Sequence, residues 1–179
     1  GGEHIMRIAV AGTHASGKST LVGSFLLDHD DYEHELEPYE LLDEAPDDPD
    51  ALFFWRQLEF SAKSVAQYVS GDRVIFERSP LDFVAYLMAL HEIGRDGRAG
   101  AAQLATEAME SLDVVVLLPW HTTHELAVQT GNDPELRLAM ARSLQYLCDD
   151  PEMVGSCRVV EVTGERYERL TQLESLLAE

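Results

Sequence analysis

The sequence predicts a three-layer α/β fold, with a five-stranded parallel sheet covered by helices on both faces. Three observations predict it. Five short strand-like runs, most of them apolar, alternate with stretches of helical periodicity, and runs of that kind belong to parallel strands buried on both faces. The first run leads directly into Gly12-Thr13-His14-Ala15-Ser16-Gly17-Lys18-Ser19, which fits the pattern G-x-x-x-x-G-K-[ST] at every fixed position. A chain of 179 residues, 45% hydrophobic and 26% charged, also has the size and composition of one globular domain.

The elements follow in order. Ile5 to Ala11 reads as a buried strand, and Thr20 to Leu27 as the opening of a helix. Tyr32 to Glu37 reads as a second, polar strand that Pro38 ends. Leu42 to Asp50 is acidic and proline-bearing, a loop. Asp50 is an N-cap for a helix carrying Phe53, Phe54, Leu58, Ala62, Val65 and Val69 at helical spacing, with Gly71 as its C-cap. Arg73 to Glu77 is a third strand. Ser79, Pro80 and Asp82 then supply an N-cap, a first-turn proline and a capping-box acid for a helix bearing Val84, Leu87, Met88 and His91 and ending near Gly94. A helix from Ala101 to Leu112 precedes the apolar strand Asp113 to Leu118. Asn132 to Glu135 starts a helix running to Cys148, Arg158 to Thr163 is the last strand, and Gly164 turns it into a terminal helix with Leu170, Leu173, Leu176 and Leu177 as its stripe. Residues 1–4 read as a tag remnant or frayed terminus, and 5–179 as a single domain.

Composition excludes some functions. Thirteen Lys+Arg against 33 Asp+Glu give a net charge of −20, which argues against nucleic-acid binding and against anionic membranes. No apolar run has the length of a membrane span. Cys148 and Cys157 lack metal spacing, and with no signal peptide the expected location is a reducing cytoplasm. His121-Thr122-Thr123-His124-Glu125 is neither H-E-x-x-H nor its inverse, so no metal is assigned there.

In a parallel sheet, ligands sit beyond the carboxyl ends of the strands. That rule selects residues 12–19, Glu37, Glu77 and Arg78, residues 119–122, and Gly164 with Glu165. At the glycine loop, backbone N–H groups and the helix N-terminus cradle phosphate oxygens. Gly12, Thr13, His14, Ala15, Ser16, Gly17, Lys18, Ser19 and Thr20 are therefore the expected nucleotide contacts, joined by Gly164. Lys18 would reach the terminal phosphates and Ser19 would ligate Mg²⁺. Glu77 is a second candidate for Mg²⁺, and Arg78 for offsetting negative charge on a transferred group.

Val74-Ile75-Phe76-Glu77-Arg78-Ser79-Pro80-Leu81-Asp82-Phe83-Val84-Ala85-Tyr86 resembles the third-strand segment of the deoxynucleoside kinase family, with its E-R-S or D-R-S motif and following helix. It also resembles small AAA-type P-loop proteins of the nucleoside and nucleotide kinase superfamily. The resemblance covers most of the chain in layout and is motif-specific at residues 12–20 and 77–79. It implies a P-loop kinase fold and Glu37, in Glu37-Pro38, as the base for a substrate hydroxyl. The residues themselves leave Glu33, Glu35 and Glu40 open for that role. It further implies Gln57 as a reader of a nucleobase edge, with Phe54 or Trp55 stacking on the base and Tyr86 and Arg78 also at the substrate; periodicity alone makes the aromatics core. The family's arginine-rich lid, which closes over the phosphates, would fall at residues 129–142, where this chain offers only Arg137 and Arg142; the resemblance implies Arg137 as a nucleotide contact, though each is equally readable as an exposed helix residue.

The expected function is an ATP- and Mg²⁺-dependent kinase. Its acceptor is a hydroxyl of a small molecule, a nucleoside or related metabolite. The alternative is a regulatory ATPase with slow hydrolysis and a protein partner. The oligomeric state is left open, a homodimer included.

Overall fold

A computed structural model of the chain describes residues 6–13, 16–35, 50–92, 100–119 and 134–178. Along them run β1 (Arg7–Ala11), α1 (Lys18–Asp28), β2 (Glu33–Glu35), α2 (Ala51–Ala66), β3 (Val74–Glu77), α3 (Pro80–Glu92), α4 (Ala101–Met109), β4 (Val114–Leu117), α5 (Pro134–Cys148), α6 (Pro151–Val154), β5 (Arg158–Glu161) and α7 (Arg166–Ala178). The five strands form one sheet in the order β2-β3-β1-β4-β5, and every pairing is parallel.

Both faces of the central strands are apolar, so both must be covered. Ile8, Val10, Ile75, Val114 and Val116 face α1 and α7, where Phe25 and Leu173 fill the layer. Ala9, Ala11, Phe76, Val115 and Leu117, the alternate residues of the same strands, face the layer of α2 to α5, with Leu58, Leu81 and Met140 among its buried side chains. The three-layer architecture expected from the alternating pattern is therefore present. Arg7 and Asp113 tie the start of β1 to the residue that leads into β4. Arg7 donates from its backbone N at 2.7 Å and from Nε and Nη2 at 3.0 Å each.

The boundaries differ in instructive places. α2 stops at Ala66 instead of running to Gly71, because Val69 and Asp72 close a turn of their own: Asp72 Oδ2 accepts from Val69 N at 2.8 Å, and Val69 O from Asp72 N at 3.0 Å. Gly71 supplies the positive φ of 98° that this turn requires, and Val69 is exposed rather than core. α4 ends at Met109, after which Ser111 and Leu112 bond back three residues. α6 was not expected, although Asp150-Pro151-Glu152 is an N-terminal signal that the Asp150 carboxylate fulfils by accepting from Glu152 N at 2.9 Å. Met88 is half-buried and His91 exposed, so the core stripe of α3 ends at Leu90. Residues 1–4, the 36–38 end of the second strand and Gly94 lie outside the described residues, as does the 121–125 histidine segment. No described helix is long and apolar enough to cross a membrane.

Candidate active site

The sheet register brings two distant segments to one place. Val10 pairs with Glu77, and Arg78 N donates to Val10 O at 2.8 Å. Both chains then leave the carboxyl edge together, one as the glycine loop and the other as Arg78-Ser79. Gly12 is needed for close approach: a Cβ there would lie 2.6 Å from Ser16 Oγ and 3.2 Å from Leu118 O. Gly17 adopts φ 99° and begins α1, which has neither a capping side chain nor an acidic residue in its first turn. By contrast, Asp50 caps α2 by accepting from Phe53 N. An uncapped helix N-terminus presents free N–H donors and the positive end of its dipole. Lys18 is buried beside it and donates from Nζ to Thr13 O. Thr13 Oγ1 and Ser16 Oγ are buried with no hydrogen-bond partner among the described residues. Ser19 and Thr20 are exposed at the helix start. Buried donors without partners, a lysine and an open helix terminus are the fit expected for a phosphate chain.

Gly12 is also tied to the second segment through its backbone. Its N–H donates to Asp82 Oδ2 at 3.0 Å and its carbonyl accepts from Arg78 Nη1 at 3.2 Å, so both its polar groups serve the loop's anchorage. His14 and Ala15 lie outside the described residues.

Asp82 holds the second segment. Its Oδ1 accepts from Ser79 N and Ser79 Oγ, each at 2.8 Å, completing the capping arrangement legible from spacing. Its Oδ2 lies 3.5 Å from Arg78 Nη1. Burial pushes the Asp82 carboxyl up from its ordinary range, while Arg78, the Gly12 and Ser79 amides and Lys18 pull it back. Arg78 has φ 78°, the one positive value at a described non-glycine residue. Such a conformation costs on the order of 1–3 kcal/mol and persists only where surroundings over-determine it. Here its guanidinium is buried, donates from Nη2 to Tyr86 Oη at 3.3 Å, and sits 5.2 Å from the Tyr86 ring centroid. Glu77 is also buried, with His34 Nε2 at 3.9 Å. Ser19 and Glu77 are oxygen donors of the kind that suits Mg²⁺. Among the described residues no group of three or more His, Cys, Asp or Glu could hold a metal.

Beyond Arg78 lies an aromatic wall. Phe54 of α2 and Tyr86 of α3 stack at 4.3 Å with 3° between planes. One turn along α2, Gln57 is fully buried, and neither end of its amide has a hydrogen-bond partner among the described residues. The candidate substrate residues Phe54, Tyr86 and Arg78 thus form one contiguous group, with Gln57 on the same buried face of α2.

Other candidates are placed separately. Glu37 and Glu40 lie outside the described residues. Glu33 pairs in register with Val74 at the start of β2, and the Glu35 carboxylate accepts a hydrogen bond from Tyr68 Oη. Arg137 is buried in α5, which excludes the exposed reading offered for it, whereas Arg142 is exposed. Gly164 has φ 95° in the turn before α7, where a Cβ would meet the Glu168 side chain at 2.7 Å. Residues 129–133 of the expected lid are outside the described residues. Sequence reasoning missed Arg169. It reaches from α7 to donate from Nη1 to Ser16 O at 3.0 Å, and its position on an amphipathic terminal helix carries no local signal of that contact.

No protein-family model matches the chain, and no curated protein matches it in sequence. Solved structures do match. A deoxyadenosine kinase from M. mycoides, with products dCMP and a flexible dCDP bound, superposes with a TM-score of 0.73 at 15% identity, covering 97% of this chain and 99% of that one. A thymidylate kinase from Candida albicans gives 0.65 at 16% identity, covering 98% and 93%. An NadR protein in complex with NAD and AMP-PNP gives 0.61 at 14% identity, covering 96% of this chain and 49% of that one. The chain therefore has the P-loop nucleoside- and nucleotide-kinase-like fold.

Proposed function

We propose that this protein is an ATP- and Mg²⁺-dependent kinase that moves the γ-phosphoryl group of ATP to a hydroxyl of a small molecule, a nucleoside or close relative. The observation that carries the reading is the joining of the glycine loop to Glu77-Arg78-Ser79 through Asp82, beside an aromatic group with a buried, unpartnered glutamine one turn away. A hydrolase acting on the nucleotide alone has no use for a buried, unpartnered amide beside that aromatic pair. The fold shared with a deoxyadenosine kinase and a thymidylate kinase supports the same class.

In this reading the triphosphate lies along residues 12–20, with Lys18 at the terminal phosphates and Arg137 and Gly164 on the nucleotide side. Ser19 and Glu77 would hold Mg²⁺, which when bound neutralises phosphate charge. The acceptor's ring lies by Phe54 and Tyr86, with Gln57 answering its polar edge. Glu37, two residues past the end of β2, takes the hydroxyl proton as the oxygen forms its bond to phosphorus and the bond to the leaving ADP oxygen breaks. Arg78 stabilises the charge spread over the transferred group. Two buried free thiols, Cys148 and Cys157, fit a cytoplasmic setting.

A screen of alcohol-bearing metabolites, nucleosides first, read by ADP release and phosphorylated product, tests this. One acceptor should raise turnover well above basal hydrolysis, and Lys18→Ala should abolish it. Glu37→Gln should keep ATP binding while slowing transfer by about a hundredfold. Basal hydrolysis that no small molecule stimulates would replace the kinase with a regulatory ATPase.

A further inference from the structure

Arg169 stands out because its placement runs against two general preferences. Cations are rare in this chain, 13 against 33 acids. They are also disfavoured in the opening turns of a helix, where the dipole is already positive. Yet α7 opens with Arg166 and carries Arg169 one turn later, and both point at the nucleotide loop and its helix. Arg166 donates from Nε and Nη2 to Ser24 Oγ at 3.3 and 3.2 Å. Arg169 donates from Nη1 to Ser16 O at 3.0 Å. The same Nη1 lies 2.7 Å from where a Cβ on Gly17 would be, so the guanidinium covers the outer side of the Ser16–Gly17 peptide. Its Nε is buried with no hydrogen-bond partner among the described residues.

The consequence follows from peptide geometry. The C=O of Ser16 and the N–H of Gly17 belong to one planar trans peptide and point in opposite directions. A donor that holds the carbonyl on the α7 side turns the Gly17 N–H to the other side, away from α7. Gly17 at φ 99° is the residue through which that peptide would otherwise rotate. Arg169 is itself held firmly. Leu173, Leu176 and Leu177 seat α7 in the core, Glu168 caps its start by accepting from Glu165 N at 3.2 Å, and Gln172 bonds Thr163 through both ends of its amide.

We infer that Arg169 is a positioning residue for the nucleotide: it clamps the Ser16–Gly17 peptide so that the loop is pre-formed for phosphate before the nucleotide arrives. The inference rests on the nucleotide-binding reading of the loop. It makes the terminal helix a working part of the site and assigns Arg166, which grips Ser24 further along α1, to docking alone.

The test is the affinity of the full chain for ADP by titration calorimetry, with a melting curve for each variant. Arg169→Ala should weaken ADP about tenfold or more, the scale of one lost charge-assisted hydrogen bond. Arg169→Lys, which keeps one cationic donor, should recover most of that loss. Arg166→Ala cuts two hydrogen bonds to the same helix and should lower the melting temperature while leaving ADP affinity within about twofold. If Arg169→Ala binds ADP as tightly as the parent, the clamp is wrong. If Arg166→Ala weakens ADP equally, α7 acts through docking and the clamp is again wrong. Should Arg169→Ala not fold, Arg169→Lys against Arg169→Gln reads the same contact, with Gln expected to bind ADP more weakly than Lys and equal affinities overturning the clamp. A parent chain that binds no ADP overturns the nucleotide reading itself, and this inference with it.

Discussion

At the scale of single residues, Gln57 makes the sharpest prediction. A buried amide without partners costs roughly 1–3 kcal/mol relative to one that is satisfied or absent. Gln57→Leu should therefore stabilise the free protein, with a melting temperature raised by about 2–4 °C per kcal/mol recovered, and should raise the acceptor KM about tenfold or more. Calorimetry and an acceptor titration on the same preparation decide it. A lower melting temperature with unchanged KM would make Gln57 a packing residue. Only the resemblance to the deoxynucleoside kinases singled Gln57 out; that its amide is buried without a partner among the described residues has no local signature in the sequence. Asp82 was legible only by half. Its spacing from Ser79 gave the capping acid, but its other oxygen binds Gly12 N, 70 positions away, and no local pattern encodes that bond. Arg169 was not legible at all, since its partner is a backbone carbonyl and a carbonyl has no sequence signature.

At the scale of elements, strands were easier to place than helix ends. Strand identity is written twice, in the apolar runs and in the phosphate pattern that follows the first, whereas an end such as that of α2 depends on the competing turn at Val69–Asp72. The order of the strands was not legible, because alternation gives parallel pairing without saying which strand lies beside which. Arg7 and Asp113 join two neighbours, β1 and β4, in that order. Burial alone would raise the Asp113 carboxyl, but the hydrogen bonds and charge of Arg7 outweigh it and hold the group below its ordinary range. A folded pKa below the unfolded one adds stability above the unfolded value, about pH 4, and that stability is lost as the pH falls through the folded value. Asp113→Asn should thus be less stable than the parent at pH 7 and should lose less stability on acidification to pH 3. Denaturant titrations of both proteins at the two pH values check this. Equal losses would show that the bridge adds nothing to folding.

At the scale of the whole molecule, the acidic balance opposes the nucleotide proposed for the site, whose attraction would prevail only at short range. Lys18, Arg78 and Arg169 converge on or beside the glycine loop, while the chain as a whole carries −20. An incoming nucleotide is itself an anion. At low ionic strength, about 0.01 M, the Debye length is near 30 Å and the nucleotide meets the net repulsion of the entire surface. At about 0.15 M it shrinks to near 8 Å, and only the loop and its cations are felt on approach. Contacts within the loop are close and partly desolvated, so salt screens them less than it screens the surface. Association of a fluorescent ADP analogue should therefore become faster, by about threefold or more, when NaCl is raised from about 10 mM to 150 mM at fixed free Mg²⁺. Dissociation should change far less. Stopped-flow measurements of both rates separate the two effects. An association rate that falls with salt would mean that the clustered cations, and not the acidic surface, govern the field through which the nucleotide arrives.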